Sequence, residues 1–142
     1  MPGAPSVYYG SEWALEGTRD RHSDAALRPC LELGEMMERD QSLCAHLSKL
    51  ARLRQELPAL RYGGYENSMI KNEQLVFLRG CGEQRVYVAL NLADQEVHVE
   101  FRHGEPVLRD WLNGMERFTN DGGRTWLPVP GCSARILVGS PE

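Results

Sequence analysis

A single change of hydrophobic period divides this chain and limits its folds more than any other feature. Leu43, Leu47, Leu50, Leu53 and Leu57 recur at intervals of 4, 3, 3 and 4, a spacing that lines one face of an α-helix. Asp40 or Ser42 can cap its start and Pro58 enforces a stop, so a helix is predicted over 41–57. His46, Lys49, Arg52 and Glu56 fall off the leucine line and should face water. After Tyr65 the period drops to two. "QLVFLRG" and "QRVYVALNL" are short runs joined through Gly80, Cys81, Gly82 and Glu83, a hairpin signal with glycine in the turn. In the second run Val86, Val88 and Leu90 share one face, and Tyr87 and Ala89 the other. In "EVHVEF", Val97, Val99 and Phe101 point inward against Glu96, His98 and Glu100. Asn113-Gly114 between two apolar runs is a further hairpin cue, and "TWLPVP" and "SARILV" complete seven or so short strands. The chain is therefore read as mainly β, with an antiparallel β-sandwich of Greek-key type over 64–139.

The first residues pose a separate problem. "PGAPSVYYGSEW", residues 2–13, has Val7, Tyr8 and Tyr9 between Pro5 and Gly10 and reads as a buried strand, about 4–9, with its exit turn. Residues from about 10 to 40 have little periodicity and read as a long loop. A strand, a loop and one amphipathic helix make a single βα step, which cannot close a core because the strand needs parallel neighbours. Residues 1–60 are thus expected to be part of a larger layered structure, whereas the β half can close on itself.

Composition excludes several functions. Hydrophobic residues make up 42% and charged residues 25% of the chain, enough for a core. The 16 Lys and Arg are scattered and the formal net charge is -4, which argues against nucleic acid as a partner. No apolar run is long enough to span a bilayer and the first residues do not resemble a secretion signal, so no membrane partner is expected. Cys30, Cys44, Cys81 and Cys132 form no CxxC pair and have no histidine at ligand spacing, so no metal or other cofactor is expected. They read as reduced thiols in a cytoplasmic protein.

The order of these parts resembles the C-terminal end of the α-amylase superfamily of glycoside hydrolases, in particular its neopullulanase, cyclomaltodextrinase and maltogenic amylase branch. "GAPSVYYGSE" is similar to that family's eighth barrel strand and the loop after it. "EGTRD" and "LRP" resemble the following loop, "HLSKLARLRQELPALRYG" the last barrel helix, and the paired runs after it the first strands of an appended β domain. The resemblance implies that residues 1–60 are the remnant of a (β/α)8 barrel whose earlier strands are missing, and that the intact parent acts on α-glucan oligosaccharides.

Retaining glycosidases need two carboxyl groups about 5 to 5.5 Å apart across the scissile bond. The resemblance implies that these groups come from barrel strands upstream of Met1. Glu12, Glu16, Asp20 and Asp24 share one loop without a scaffold, so no catalytic residue is assigned and the chain alone is expected to be inactive. Barrel active sites lie at the C-terminal ends of the strands, which makes Tyr8, Tyr9, Gly10, Glu12 and Trp13 a substrate-cleft remnant. Two other readings stay open. Trp13, Trp111 or Trp126 could grip sugar in a free-standing carbohydrate-binding module, or the leucine face could serve an oligomerisation piece such as a homodimer. Asp121-Gly122-Gly123 is a turn, without the GKS or GKT that would make it a phosphate loop.

Overall fold

Pairing around a central hairpin organises the β half of the chain, as seen in a computed structural model that describes residues 3–19 and 21–140. Eight strands form it: β1 (Gly64–Ile70), β2 (Gln74–Cys81), β3 (Gln84–Asn91), β4 (Val97–Arg102), β5 (Val107–Asp110), β6 (Arg117–Thr119), β7 (Arg124–Val129) and β8 (Ser133–Ser140). They divide into a six-stranded sheet in the order β1-β2-β3-β8-β5-β6 and a two-stranded sheet of β4 and β7, with every pairing antiparallel. Inward residues of both sheets, among them Val76, Tyr87, Leu108 and Leu137 against Val99, Phe101, Leu127 and Val129, make one buried cluster. This is the mainly β sandwich that the alternation predicts, with one strand more than the apolar runs suggest. The extra strand is β1, whose sequence "GYENSMI" is mostly exposed and whose register slips between Asn67 and Met69. An edge strand lacks the second neighbour that would demand apolar alternation.

Both faces of β3 are covered. Tyr87 and Ala89 join the inter-sheet cluster, while Val86 and Val88 are also buried. The second face is met by a short helix, α3 (Pro58–Tyr62), which packs on β2 and β3. The Ala59 N–H donates to Gln84 Oε1 at 2.8 Å, and the buried Arg79 donates to the Gly63 and Gly64 carbonyls at 2.8 and 3.1 Å. Pro58 therefore ends one helix and starts another. Leu57 before it is extended, as proline requires of its predecessor, and Pro58 occupies the first turn, where its missing N–H costs nothing.

The predicted long helix is α2 (Ser42–Glu56). Asp40 caps it, accepting the Ser42 N–H at 2.8 Å and the Ser42 hydroxyl at 2.9 Å. Those two bonds hold the Asp40 carboxyl below its ordinary range. Burial along the leucine line rises towards the C-terminus, from the exposed Leu43 to the buried Leu53 and Leu57. His46, Lys49, Arg52 and Glu56 are exposed, as predicted.

The chain divides into two compact units, one from Leu53 onward together with Gly3, the other over Ala4–Arg52. In the second unit the expected strand at 4–9 does not form. Residues 4–8 run without a ladder, and Val7, Tyr8 and Tyr9 are about half exposed, at 55%, 55% and 49%. A strand exists only through its hydrogen-bonded neighbours, and none of the described residues supplies one. The predicted loop carries two 3-10 turns, Ser11–Trp13 and Ala25–Leu27, and a one-turn helix, α1 (Leu33–Met37). No described helix is long and apolar enough to cross a membrane.

Candidate functional site

Gly10 sets the geometry of the predicted cleft residues. Its φ of +80° turns the chain out of the extended segment, and its buried α-carbon lies so close to Leu15 that a Cβ would overlap the Leu15 side chain. The 3-10 turn Ser11–Trp13 follows at once, held by the Trp13 and Leu15 N–H groups, which both donate to the Gly10 carbonyl at 3.1 Å. The structure thus brings Tyr8, Tyr9 and Gly10 into one corner. Their partners lie 20 residues downstream: Arg28 Nε donates to the Tyr8 hydroxyl at 3.0 Å, and the Tyr9 hydroxyl donates to the Pro29 carbonyl at 2.8 Å. A cavity of about 220 Å³ opens between these segments, lined by Tyr8, Tyr9, Leu15, Glu16, Leu27 and Pro29 among others.

Glu12 and Trp13 do not line that cavity. Both are half-buried, and the indole N–H of Trp13 is shielded without an acceptor. Arg28 and Pro29, the two residues that anchor the tyrosines, were legible only as the "LRP" of the loop. No periodicity links them to Tyr8 and Tyr9. Of the loop carboxylates, Glu16 and Asp24 are exposed and Asp24 faces Arg19 at 3.5 Å, while Asp20 lies outside the described residues.

A catalytic acid is made by burying a carboxyl group in apolar surroundings. Among the described residues one carboxylate is buried, Asp110, and it belongs to the sandwich core, where it pairs with Arg135 at 2.9 Å. The described residues contain no cluster of three or more His, Cys, Asp or Glu able to hold a metal ion. The four cysteines are free thiols, Cys30 and Cys132 exposed, Cys44 and Cys81 half-buried. The cavity at Tyr8 and Tyr9 offers two aromatic faces, two phenol oxygens and the Glu16 carboxylate, with Arg28 bonded to Tyr8. Such a set can bind a polyhydroxylated ring, and Glu16, exposed to water, lacks the apolar burial that makes a carboxyl group a catalytic acid.

The other two tryptophans differ sharply. Trp111 follows β5, half-buried, with its backbone N–H donating to the Ile136 carbonyl at 2.8 Å. Trp126, on β7, is 67% exposed. It stands on the outer face of the two-stranded sheet, opposite Glu100.

No protein-family model matches the chain. Over 91 residues it is 33% identical to a cyclomaltodextrin glucanotransferase of Bacillus licheniformis, an alignment covering 63% of this chain and 11% of the other. It is 32% identical over 91 residues to a cyclomaltodextrinase of a Bacillus species, covering 63% of this chain and 15% of that one. The α-amylase of Geobacillus thermoleovorans, solved in complex with acarbose, superposes with a TM-score of 0.87 at 25% identity, covering 99% of this chain and 31% of that protein. The chain therefore spans a small part of the length of the proteins it matches.

Proposed function

We propose that this chain, a C-terminal region of an α-amylase-family glycoside hydrolase, is the structural end of an α-glucan-processing enzyme and is not catalytic by itself. The sandwich of β1–β8 closes its own core, and in this reading it packs on a (β/α)8 barrel and stabilises it. Residues 1–60 contribute the last strand, loop and helix of that barrel. The observation that carries the proposal is the contrast between the two units. One has a filled inter-sheet core, while the other leaves Val7, Tyr8 and Tyr9 exposed on an extended segment without a ladder. An apolar extended segment of that kind is completed by parallel neighbours, which a barrel sheet would supply.

In this reading the parent acts on starch, maltodextrin or cyclodextrin-like glucans, and the likeness to a cyclomaltodextrin glucanotransferase and a cyclomaltodextrinase supports that class. Tyr8 and Tyr9 then belong to the rim of its cleft, and Arg28 and Pro29 hold them there. The free thiols suit a reducing, cytoplasmic compartment. The test is direct. The purified chain is incubated with maltoheptaose and with β-cyclodextrin, and the anomeric protons are followed by NMR. No product is expected, and cleavage with a defined anomeric outcome overturns the proposal.

A further inference from the structure

The outer face of β4 and β7 carries six side chains in facing pairs: His98 opposite Pro128, Glu100 opposite Trp126, and Arg102 opposite Arg124. Trp126 is the only large apolar side chain exposed there among the described residues. Its ring is braced by His98, with centroids 5.6 Å apart. Beside it Arg124 donates to Glu100 at 2.6 Å. A cavity of about 340 Å³ opens at this point, lined by Glu100, Asp121, Arg124, Thr125 and Trp126. A second cavity of about 470 Å³ shares Glu100 and Arg124 and extends towards Glu66, Asn67 and Arg102. The two have Glu100 and Arg124 as a common wall and are taken together as one groove, with the Trp126 indole in the smaller part and, in the larger, polar side chains beside Leu78, Tyr87 and Phe101.

We infer that this groove is an oligosaccharide-binding site, separate from the Tyr8 and Tyr9 corner, in which Trp126 stacks on a pyranose ring and Glu100, Arg124 and Asp121 bond its hydroxyls. The character of the ligand follows from the groove. In its larger part Glu66 and Glu100 are balanced by Arg102 and Arg124, so an anion or a cation gains no net attraction, whereas a neutral ligand with many hydroxyls can use donors and acceptors together. One braced indole among ionic groups is too small an apolar area for a stable protein interface, but it matches a single sugar face. That the sugar is an α-glucan rests on the function proposed above.

The experiment titrates the full 142-residue chain with maltoheptaose, cellohexaose and xylohexaose, following the backbone amides of β4 and β7 by NMR. Trp126→Ala and Trp126→Phe are titrated in parallel. Because Trp126 is so exposed, both variants should keep the parent's circular dichroism and melting temperature. Maltoheptaose should shift the β4 and β7 amides; Trp126→Ala should weaken binding by at least about tenfold and Trp126→Phe by less. Binding of cellohexaose or xylohexaose alone, abolished in Trp126→Ala, supports the site and overturns the α-glucan reading. Maltoheptaose binding that Trp126→Ala leaves unchanged overturns the site and leaves that reading intact. Absence of binding by all three sugars up to about 10 mM, or self-association that Trp126→Ala abolishes, overturns the site as well.

Discussion

Asp110 and Arg135 form an ion pair of 2.9 Å with both side chains withdrawn from solvent, the carboxylate entirely and the guanidinium at 7% exposure. Each is bonded further. Asp110 Oδ1 accepts the N–H groups of Leu112, Asn113 and Ile136, and Oδ2 accepts the Asn113 amide. Arg135 donates to the Pro128 carbonyl and to Glu116, and lies 5.0 Å over the Phe118 ring. One pair thereby fastens the end of β5, the loop after it, β6, β7 and β8. Asp110→Asn leaves the buried guanidinium with the half-exposed Glu116 as its one carboxylate partner and weakens the acceptor of three backbone N–H groups, and should cost about 2 kcal/mol or more. Glu116→Gln removes the half-exposed partner and should cost under about 1 kcal/mol. Urea unfolding checks both, and equal losses would refute the ranking.

That network also marks the limit of sequence reading here. Alternation revealed the faces of β3 and β4, and leucine spacing revealed α2, because each rests on residues a few positions apart. Asp110 and Arg135 are 25 residues apart and meet only once β5 pairs with β8, a non-local event that no local pattern encodes. The same holds for the splitting of β4 and β7 from the larger sheet, and for Tyr8 and Tyr9 finding Arg28 and Pro29. Asn113-Gly114 misled in detail. It lies in the connection from β5 to β6 as part of a six-residue loop, with Gly114 and Met115 both at positive φ, and not in a two-residue hairpin.

His103 gives stability a pH dependence. Its ring is buried, with Nε2 2.6 Å from the Thr125 hydroxyl. Thr125 itself donates to the Thr119 carbonyl at 3.1 Å, so Nε2 carries the proton given to Thr125. Burial lowers the His103 pKa, with a weaker opposing effect from the Glu105 backbone. The unfolded chain, with histidine near about 6.5, then binds the proton more readily than the folded one. The stabilisation is complete above that pH and is lost as the pH falls towards the lowered folded value. His103→Gln should flatten this part of the profile. Unfolding free energies of wild type and variant between about pH 5 and pH 7.5 check it, and parallel curves would count against the assignment.

Glycine supplies a contrast between two substitutions of equal chemistry. A Cβ on Gly131 would overlap the Asp94 carbonyl, where the chain passes the Ala93 carbonyl that accepts the Cys132 N–H at 2.9 Å. Backbone cannot step aside as a side chain can, so Gly131→Ala should cost about 2 kcal/mol or more. Gly104 has nothing within 4 Å of its would-be Cβ and its φ is not positive. Gly104→Ala should change stability by about 0.5 kcal/mol or less in either direction. Thermal melts of the two variants decide the matter, and similar midpoints would contradict the close approach at Gly131.

Amide exchange should divide the chain where its pairing divides. The β2 and β3 amides lie in a ladder flanked by β1 and β8 and covered on both faces, so they open only with the whole sandwich. Residues 4–8 have no ladder to break, and Val7, Tyr8 and Tyr9 keep about half their surface in water. Their amides should exchange within the dead time of a hydrogen–deuterium experiment, while those of Val76, Val86 and Val88 persist longest. If a barrel sheet normally completes the segment, adding the remaining strands in a longer polypeptide should move Val7 and Tyr8 from the fastest class into the slow one. Slow exchange of Val7 in the 142-residue chain as a monomer would mean that the segment is already satisfied, and the barrel reading of residues 1–60 would fall with it.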